Sequence, residues 1–396
     1  MREITVLNWQ SRRATQPMDA AIKAFTNTHA DCIVRQVVRP LKDFEHQSLE
    51  DISQQYDLIV FDHPFSGAIA RSRCFVPLET HLADKLGHEA NAQYVGPSLA
   101  SYRYGGHIWG APIDGATQNA IYRRDLLNRL GHAAPQSHVQ VLELGHTARR
   151  NGLYLGTAIE TPHALISILS YMANLGAPIE FDDTGITAIP ENSFNEAYCA
   201  MEDVLSLSAR ECMGWNSIDL HEAMVVRDDI VYCPAVYGYA TYGEPDLRAP
   251  LSFAGFAGIR QPFSAGAAIG GTALGLSRYS EKPELALAFI KHMLSDSVQV
   301  EIVGANCGQP ASLNGWKNSK NDSRFNNFYS AVLESMKLSW VRPRFHGYVE
   351  FQRRGGQVVA QALREGGTPM LARLALQDLA NELREKNDNE ARESEG

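Results

Sequence analysis

Residues 104–125, YGGHIWGAPIDGATQNAIYRRD, decide how the rest of the chain is organised. Gly110 and Pro112 lie in a segment whose composition disfavours the middle of a helix or of a central strand. We therefore predict that the chain crosses here between two folded units and continues as a strand into a helix. Small and polar residues from Asp114 onward, close to the indole of Trp109, are typical of one wall of a ligand cleft.

Length and charge limit what kind of protein this is. The chain has 396 residues, 44% of them hydrophobic, which exceeds the size at which single cores usually stop growing and predicts two domains. The formal net charge of -9 is spread along the chain apart from a charged cluster in the last dozen residues. A nucleic-acid partner is therefore not expected.

Cysteine spacing and hydropathy add three expectations. The six cysteines form no CxxC pair and no Cys/His zinc spacing, and most lie in apolar runs, so we predict buried thiols and no disulfide. The chain contains no window of 18 apolar residues, so a membrane span is not predicted. The opening residues, MREITVLNW, enter a strand directly and lack the features of a signal peptide. Either such a segment has been removed, or the protein stays in the cytoplasm.

The first sixty residues predict a β-α-β-α-β unit. Apolar, β-branched runs predict strands over residues 4–9, 32–38 and 58–61, with helical spacing between them. This order implies a parallel sheet that binds its ligand outside the carboxyl ends of the strands. The residues placed at those ends are Trp9, Gln10, Asp62 and His63.

A second series of alternating patterns follows the crossing. Ser193, with Glu196 three residues later, has the pattern of a capping box. Apolar spacing predicts helices over residues 139–150 and 162–174, and strands over 153–159, over 230–236 and from Gly270 onward. The sequence thus predicts an α/β protein with two glycine-rich crossings, near residues 110 and 270.

The order of these motifs resembles that of the bacterial extracellular solute-binding proteins of sugar ABC transporters, the family that includes the maltose-binding protein. The resemblance spans nearly the whole chain. The segments that carry it are YDLIVFD (56–62), FVPLETHL (75–82), IWGAPIDGATQNAIYRRDLL (108–127), FDDTGITAIPENSFNEAYCAMEDVL (181–205), GGTALGLSRYSEKPELALAFIKHMLS (270–295), GQPAS (308–312) and RPRFHGYVEF (342–351).

The resemblance implies a two-lobed periplasmic-binding-protein fold of type II, α/β in class, with discontinuous domains joined by a hinge. One lobe would hold residues 1–111 and 271–315, and the other residues 112–270 and 316–396. It further implies a monomeric, periplasmic protein without cofactor or metal. Such a protein binds a carbohydrate between its lobes and delivers it to an ABC transporter permease, without catalysing a reaction.

A sugar site needs aromatic platforms and a few fixed polar groups. For every candidate an ordinary structural role is the alternative: a core aromatic, a cap or turn, a hinge glycine or a surface ion pair. The aromatic candidates are Trp9, Trp109, Trp215, Tyr237 and Tyr239. The polar candidates are Asp62, His63, Asp114, Thr117, Gln118, Glu160 and Arg344, and Gly270 and Gly271 would let backbone N–H groups approach the ligand.

Two other functions remain open at this point. A carbohydrate-active enzyme would need paired carboxylates across a cleft, for which Asp62 and Asp114 are the candidates. A binding protein for a polyamine, phosphate ester or metal chelate is the second alternative. A metalloprotease is excluded, because Val225 stands where the HExxH motif needs its second histidine.

Overall fold

The computed structural model describes residues 2–395. Its strands are β1 Arg2–Trp9, β2 Cys32–Arg39, β3 Leu58–Phe61, β4 Arg103–Tyr104, β5 His107–Ile108, β6 Ala111–Tyr122, β7 Tyr154–Leu155, β8 Glu180–Phe181, β9 Ile186–Ala188, β10 Ile230–Tyr237, β11 Ser252–Ala254 and β12 Ile269–Leu276.

The α-helices are α1 Arg12–Thr28, α2 Leu41–His46, α3 Leu49–Ser53, α4 Ser66–Ser72, α5 Ala83–Leu86, α6 Ser98–Ser101, α7 Arg124–Leu130, α8 His138–Arg150, α9 His163–Asn174, α10 Glu191–Ser206, α11 Ser217–Val226, α12 Pro283–Met293, α13 Leu313–Trp316, α14 Ser319–Arg324, α15 Phe328–Lys337, α16 Tyr348–Glu365 and α17 Pro369–Glu395. A π-helix covers Ser297–Val303. Short 3₁₀ helices cover His63–Phe65, His88–Gln93, Arg210–Gly214, Ala240–Gly243 and Gly304–Asn306.

The main sheet has the strand order β2-β1-β3-β12-β6-β10-β7, and β11 pairs with β6. Strands β2, β1 and β3 are parallel, whereas β12 runs antiparallel to both β3 and β6. The predicted parallel unit is confirmed. Its carboxyl ends, at Trp9, Arg39 and Phe61, lie at one edge of the sheet, as that topology requires.

Strand β6 corrects the interpretation of the opening stretch. The expectation that this segment is no central strand is wrong, because β6 pairs with β12 along its first part and with β10 and β11 along its second. Pro112 fits because the register shifts: Asp114 pairs with Thr272, but Pro112 pairs with Ala273. The extra residue, Ile113, is a bulge of the kind at which strands tolerate proline.

Separate hydrophobic clusters form on the two sides of β6. One, containing Ile4, Phe25 and Phe289, packs β1 with α1 and α12. Another, containing Leu165 and Phe194, packs α9 and α10 with α16 and α17. The chain therefore has two lobes, each with its own core, which share the strands β6 and β12.

Three local predictions need correction. The strand expected over residues 153–159 is only Tyr154–Leu155 long. Helix α10 has no capping box: it begins after Pro190, and the Ser193 hydroxyl donates to the carbonyl of Ala177. Five cysteines are buried as predicted, but Cys199 is exposed. Within residues 2–395 we find no helix long and apolar enough to cross a membrane.

The pairing of β6 with β12 depends on Gly271. Its φ is +100°, and a Cβ there would lie 2.3 Å from the carbonyl oxygen of Asp114. We expect Gly271→Ala to lower the free energy of unfolding in a urea titration by about 1–3 kcal/mol more than Gly131→Ala, because the new methyl group overlaps the neighbouring backbone. Gly131 also has a positive φ, of +71°, but open space around it. Equal losses in the two variants would contradict the close approach.

Candidate functional site

A cavity of about 100 Å³ lies between the two lobes. On one side it is bounded by the carboxyl ends of β1 and β3 and by the first turns of α1 and α2. On the other side are the starts of α9 and α11, the residues after β10, and the segment that leads into α16. The shared strands β6 and β12 form its floor through Ala116, Gly270, Gly271 and Thr272.

Aromatic rings contributed by both lobes make much of the wall, and these are Trp9, Phe44, Phe65, Tyr237 and Tyr239. The rings of Trp9 and Phe44 lie 5.5 Å apart. The indole Nε1 of Trp9 is buried and has no hydrogen-bond partner among the described residues. A buried N–H donor without a partner is uncommon in folded proteins.

The first ion pair of the cavity joins Asp62 to Arg342. Arg342 Nη2 donates to Asp62 Oδ2 at 2.6 Å, and its Nη1 donates to Gln352 Oε1 at 2.8 Å. Only 2% of Arg342 is exposed, and its guanidinium lies 6.0 Å from the centre of the Tyr237 ring. Arg342 Nε is buried and has no hydrogen-bond partner among the described residues. The pair thus closes one wall of the cavity.

Both members of this pair are ionised. Burial would raise the pKa of Asp62, but Arg342 and His63 outweigh it and lower that pKa to about 2. Burial likewise opposes the charge on Arg342, yet Asp62 raises the pKa of its guanidinium. Asp62 therefore carries no proton at neutral pH and is unsuited to act as a general acid.

His63 lies next to Asp62 but does not line the cavity. Its ring is fully buried, with Nδ1 2.9 Å from the Asp62 carboxylate, but the angles do not make a hydrogen bond and neither ring nitrogen has a partner. Burial lowers the pKa of His63 to about 4, although Asp62 opposes the change. His63 is therefore neutral at neutral pH, and its ring approaches the Asp62 carboxylate closely without a hydrogen bond.

A second ion pair joins Arg13 to Asp114. Arg13 Nε donates to Asp114 Oδ2 at 2.8 Å, and Arg13 Nη2 contacts Oδ1. The guanidinium lies 5.1 Å from the centre of the Tyr239 ring. Burial opposes the charge on Arg13, but Asp114 raises its pKa. Arg13 is the member of the pair that lines the cavity.

Glu45, on α2, lines the cavity and differs from these paired groups. No hydrogen bond or ion pair joins its carboxylate to another residue within the described part of the chain. Burial and the charge of Asp62 raise its pKa to about 7, although Arg342 opposes the shift. Across the cavity, burial and Arg342 lower the pKa of His163 to about 4.

Six of the residues expected to bind a ligand line the cavity. Two more do not line it but contact charged residues that do. The lining residues are Trp9, Asp62, Tyr237, Tyr239, Gly270 and Gly271. The other two are His63 and Asp114. Trp9, Asp62 and His63, which the end-of-strand argument placed side by side, therefore do lie together.

Thr117 and Gln118 are not at this cavity. Both are buried in strand β6. The Thr117 hydroxyl donates to the carbonyl of Ala268 at 3.2 Å. The Gln118 amide donates to the Ser167 hydroxyl at 3.0 Å and accepts from that of Ser170 at 2.5 Å. Their polar groups connect β6 to its neighbours.

The other four predicted residues also lie outside the cavity. Trp109 packs in the core of the first lobe, and Trp215 lies under the guanidinium of Arg227, 5.5 Å away. Glu160 is exposed just before α9. Arg344 donates to two backbone carbonyls of α6, in the first lobe, and so joins the lobes at another place.

Sequence reasoning missed Arg13, Glu45, His163, Arg342 and Gln352. Arg13 and Glu45 each follow a strand of the parallel sheet by only a few residues, so the end-of-strand rule extended to the next helix would have found them. Arg342 belongs to the quoted RPRFHG segment, in which Arg344 was the candidate. No local pattern distinguishes these two arginines.

Neither a family model nor a curated protein matches the chain. Solved structures do match. Maltose-bound MalE3 of T. maritima has a TM-score of 0.80 at 18% identity, covering 97% of this chain and 99% of that one. A ribitol-bound ABC transporter solute-binding protein of Agrobacterium radiobacter K84 has a TM-score of 0.81 at 16% identity, covering 96% and 98%.

An ABC transporter solute-binding protein of Thermotoga lettingae TMO, bound to α-D-tagatose, has a TM-score of 0.81 at 17% identity, covering 97% of this chain and all of the other. Likeness over the whole length of both chains confirms the expected fold, a two-lobed α/β periplasmic-binding-protein fold. At these identities the likeness concerns the fold and leaves the ligand to be argued from the cavity.

The Asp62–Arg342 pair predicts a large effect of one substitution. Arg342→Met leaves the Asp62 carboxylate without its cation, so we expect the free energy of unfolding in urea at neutral pH to fall by about 3–5 kcal/mol. Arg354→Met is the control, because Arg354 pairs with Glu382 at the exposed surface and should cost a small fraction of that amount. Similar losses in the two variants would contradict the role of Arg342.

The same pair predicts a pH dependence. The pKa of Asp62 in the folded protein, about 2, lies below its ordinary value of 3.8. Such a carboxylate stabilises the fold above its ordinary pKa and loses that effect as the pH falls to the folded value. The stability difference between the wild type and Arg342→Met should therefore narrow between about pH 4 and about pH 2. A difference that widens over this range would refute the assignment.

Proposed function

We propose that this protein is the solute-binding component of an ABC transporter and binds a sugar or polyol between its lobes. The observation that carries the proposal is the cavity itself, in which both lobes combine aromatic faces with polar atoms that lack partners. Aromatic faces suit the C–H surfaces of a sugar, and fixed donors and acceptors suit its hydroxyls. The Glu45 carboxylate, which lines the cavity, is one such polar group, because it has no hydrogen-bond partner among the described residues.

The size of the cavity favours a small ligand. About 100 Å³ is room for roughly seven to ten water molecules, at roughly 10–15 Å³ each. A monosaccharide or a linear polyol fits such a space better than an oligosaccharide. The ribitol and α-D-tagatose bound to two of the similar structures are ligands of this size.

Binding would be coupled to closure of the lobes. We assign residues 1–111 and 271–315 to one lobe and residues 112–270 and 316–396 to the other. With these bounds, Asp62 and Arg342 lie on opposite lobes. A ligand that contacts both lobes stabilises the closed state, and the shared strands absorb the movement. The closed complex would then deliver its ligand to a permease, which places the protein outside the cytoplasmic membrane, as a monomer.

The two carboxylates considered for catalysis favour binding instead. A glycosidase needs one carboxylic acid to protonate the leaving group and a second carboxylate. Asp62 is held ionised by Arg342 and Asp114 is held by Arg13, which leaves Glu45, with a pKa of about 7, as the one carboxyl of the lining that could supply an acid. Product formation from labelled sugars that disappears in Asp62→Asn or Glu45→Gln would overturn the binding function.

A matched pair of tryptophan variants tests this cavity. A panel of monosaccharides and polyols should contain members that raise the melting temperature, because a ligand specific for the folded state stabilises it. We expect Trp9→Phe to weaken the binding of such a ligand roughly two- to tenfold in calorimetry, because a smaller ring replaces the indole and offers the ligand less aromatic surface.

Trp316→Phe is the control. The Trp316 indole donates to the carbonyl of Pro310 inside a core, so its loss should lower stability and leave the affinity unchanged. Unchanged affinity in Trp9→Phe, or an equal loss in both variants, would place the ligand elsewhere.

A further inference from the structure

The charges around the cavity do not balance. The side chains in its wall that carry a formal charge are Arg13, Glu45, Asp62 and Arg342. Arg342 is paired with Asp62, and Arg13 is paired with Asp114 behind the wall. Glu45 has no ion pair or hydrogen bond with any residue of the described chain, so the cavity carries one uncompensated carboxyl group.

Glu45 is half-buried, and partial burial of a carboxylate is costly where no protein donor replaces the water that is removed. The paired groups offset little of this cost: Asp62 repels the charge of Glu45, and Arg342 attracts it but already donates to Asp62 and Gln352. A ligand that supplies a positive charge would remove this cost. A neutral ligand would offer Glu45 only hydroxyl groups.

We propose that the ligand carries a protonated amino group that pairs with the Glu45 carboxylate, so that the cavity selects an amino sugar or amino polyol over its neutral counterpart. The inference rests on the proposed function of the same cavity. Hydrogen bonds between ionised partners are about twice as strong as neutral ones. The ring of Trp9 lines the same cavity and adds a face that attracts a cation, whereas the Phe44 ring already lies 5.4 Å from the guanidinium of Arg39. Thr272 remains for hydroxyl groups.

The pairing predicts the direction of a pH effect. The titratable and charged groups around Glu45 are Asp62 and Arg342, with Arg13, His163, Tyr237 and Tyr239 on other walls and His46 next to it on α2. The pKa of Glu45 is about 7, whereas that of His163 is about 4 and that of Asp62 about 2. Burial lowers the pKa of His46 below its ordinary value and raises those of Tyr237 and Tyr239. An ammonium ligand favours ionised Glu45, so binding releases protons and tightens as the pH rises towards 7.

The experiment compares matched ligand pairs by calorimetry: glucose with glucosamine, galactose with galactosamine, mannose with mannosamine, and sorbitol with 1-amino-1-deoxysorbitol. We expect at least one amino member to bind about tenfold or more tightly than its neutral partner. Titrations at about pH 6, where the ligand's amino group is fully protonated, in two buffers of different ionisation enthalpy should show proton release. Affinity for the amino member should be higher at about pH 7 than at about pH 6.

Two variants assign the preference to one side chain. Glu45→Gln keeps the size of the side chain, and we expect it to abolish both the amino preference and the proton release. Asp43→Asn removes a carboxylate from the exposed side of the same helix, α2, and should change neither.

The outcomes separate the two proposals. Neutral ligands that bind as tightly as their amino partners would overturn the role of Glu45 and leave sugar or polyol binding intact. An amino preference that persists in Glu45→Gln would overturn it as well. A panel in which no member binds would overturn both the role of Glu45 and the proposed function.

Discussion

The buried ion pair between Asp62 and Arg342 is the interaction on which the cavity depends. It joins a turn after β3 to the segment before α16, 280 positions apart in the chain. The buried Arg342 charge and the half-buried Asp62 charge offset each other, since a lone buried charge would cost several kcal/mol. The pair therefore fixes how the two lobes meet, and the aromatic rings of the cavity take their positions around it.

The second pair, Arg13 with Asp114, repeats this arrangement at another place in the cavity wall. In both cases a guanidinium is held by a carboxylate and faces a tyrosine ring, Tyr237 or Tyr239. The charges of these four groups cancel, and they leave rigid, nearly neutral walls. Against such walls a single unpaired carboxyl group, that of Glu45, has a large influence on which solute is accepted.

Much of the fold was predictable, because the strands of the first lobe are continuous apolar runs whose type does not depend on distant contacts. Trp9 and Asp62 were predictable from the rule that ligands lie beyond the ends of parallel strands. Arg13 and Arg342 were not, since their importance comes from partners that only packing of the lobes brings near. Pro112 was misread because strand propensity takes no account of a bulge in the partner register.

Strand β6 also bears on how such a protein can be recombined. Its first residues pair with β12 and its last with β10 and β11, so no bond in the strand divides the molecule into two independently folding modules. A chimera that takes one lobe from a relative must therefore carry the whole strand, with its bulge at Ile113, or leave an unpaired sheet edge in both halves. Lobes can therefore be exchanged between relatives only at breakpoints outside this strand, because both lobes depend on an intact β6.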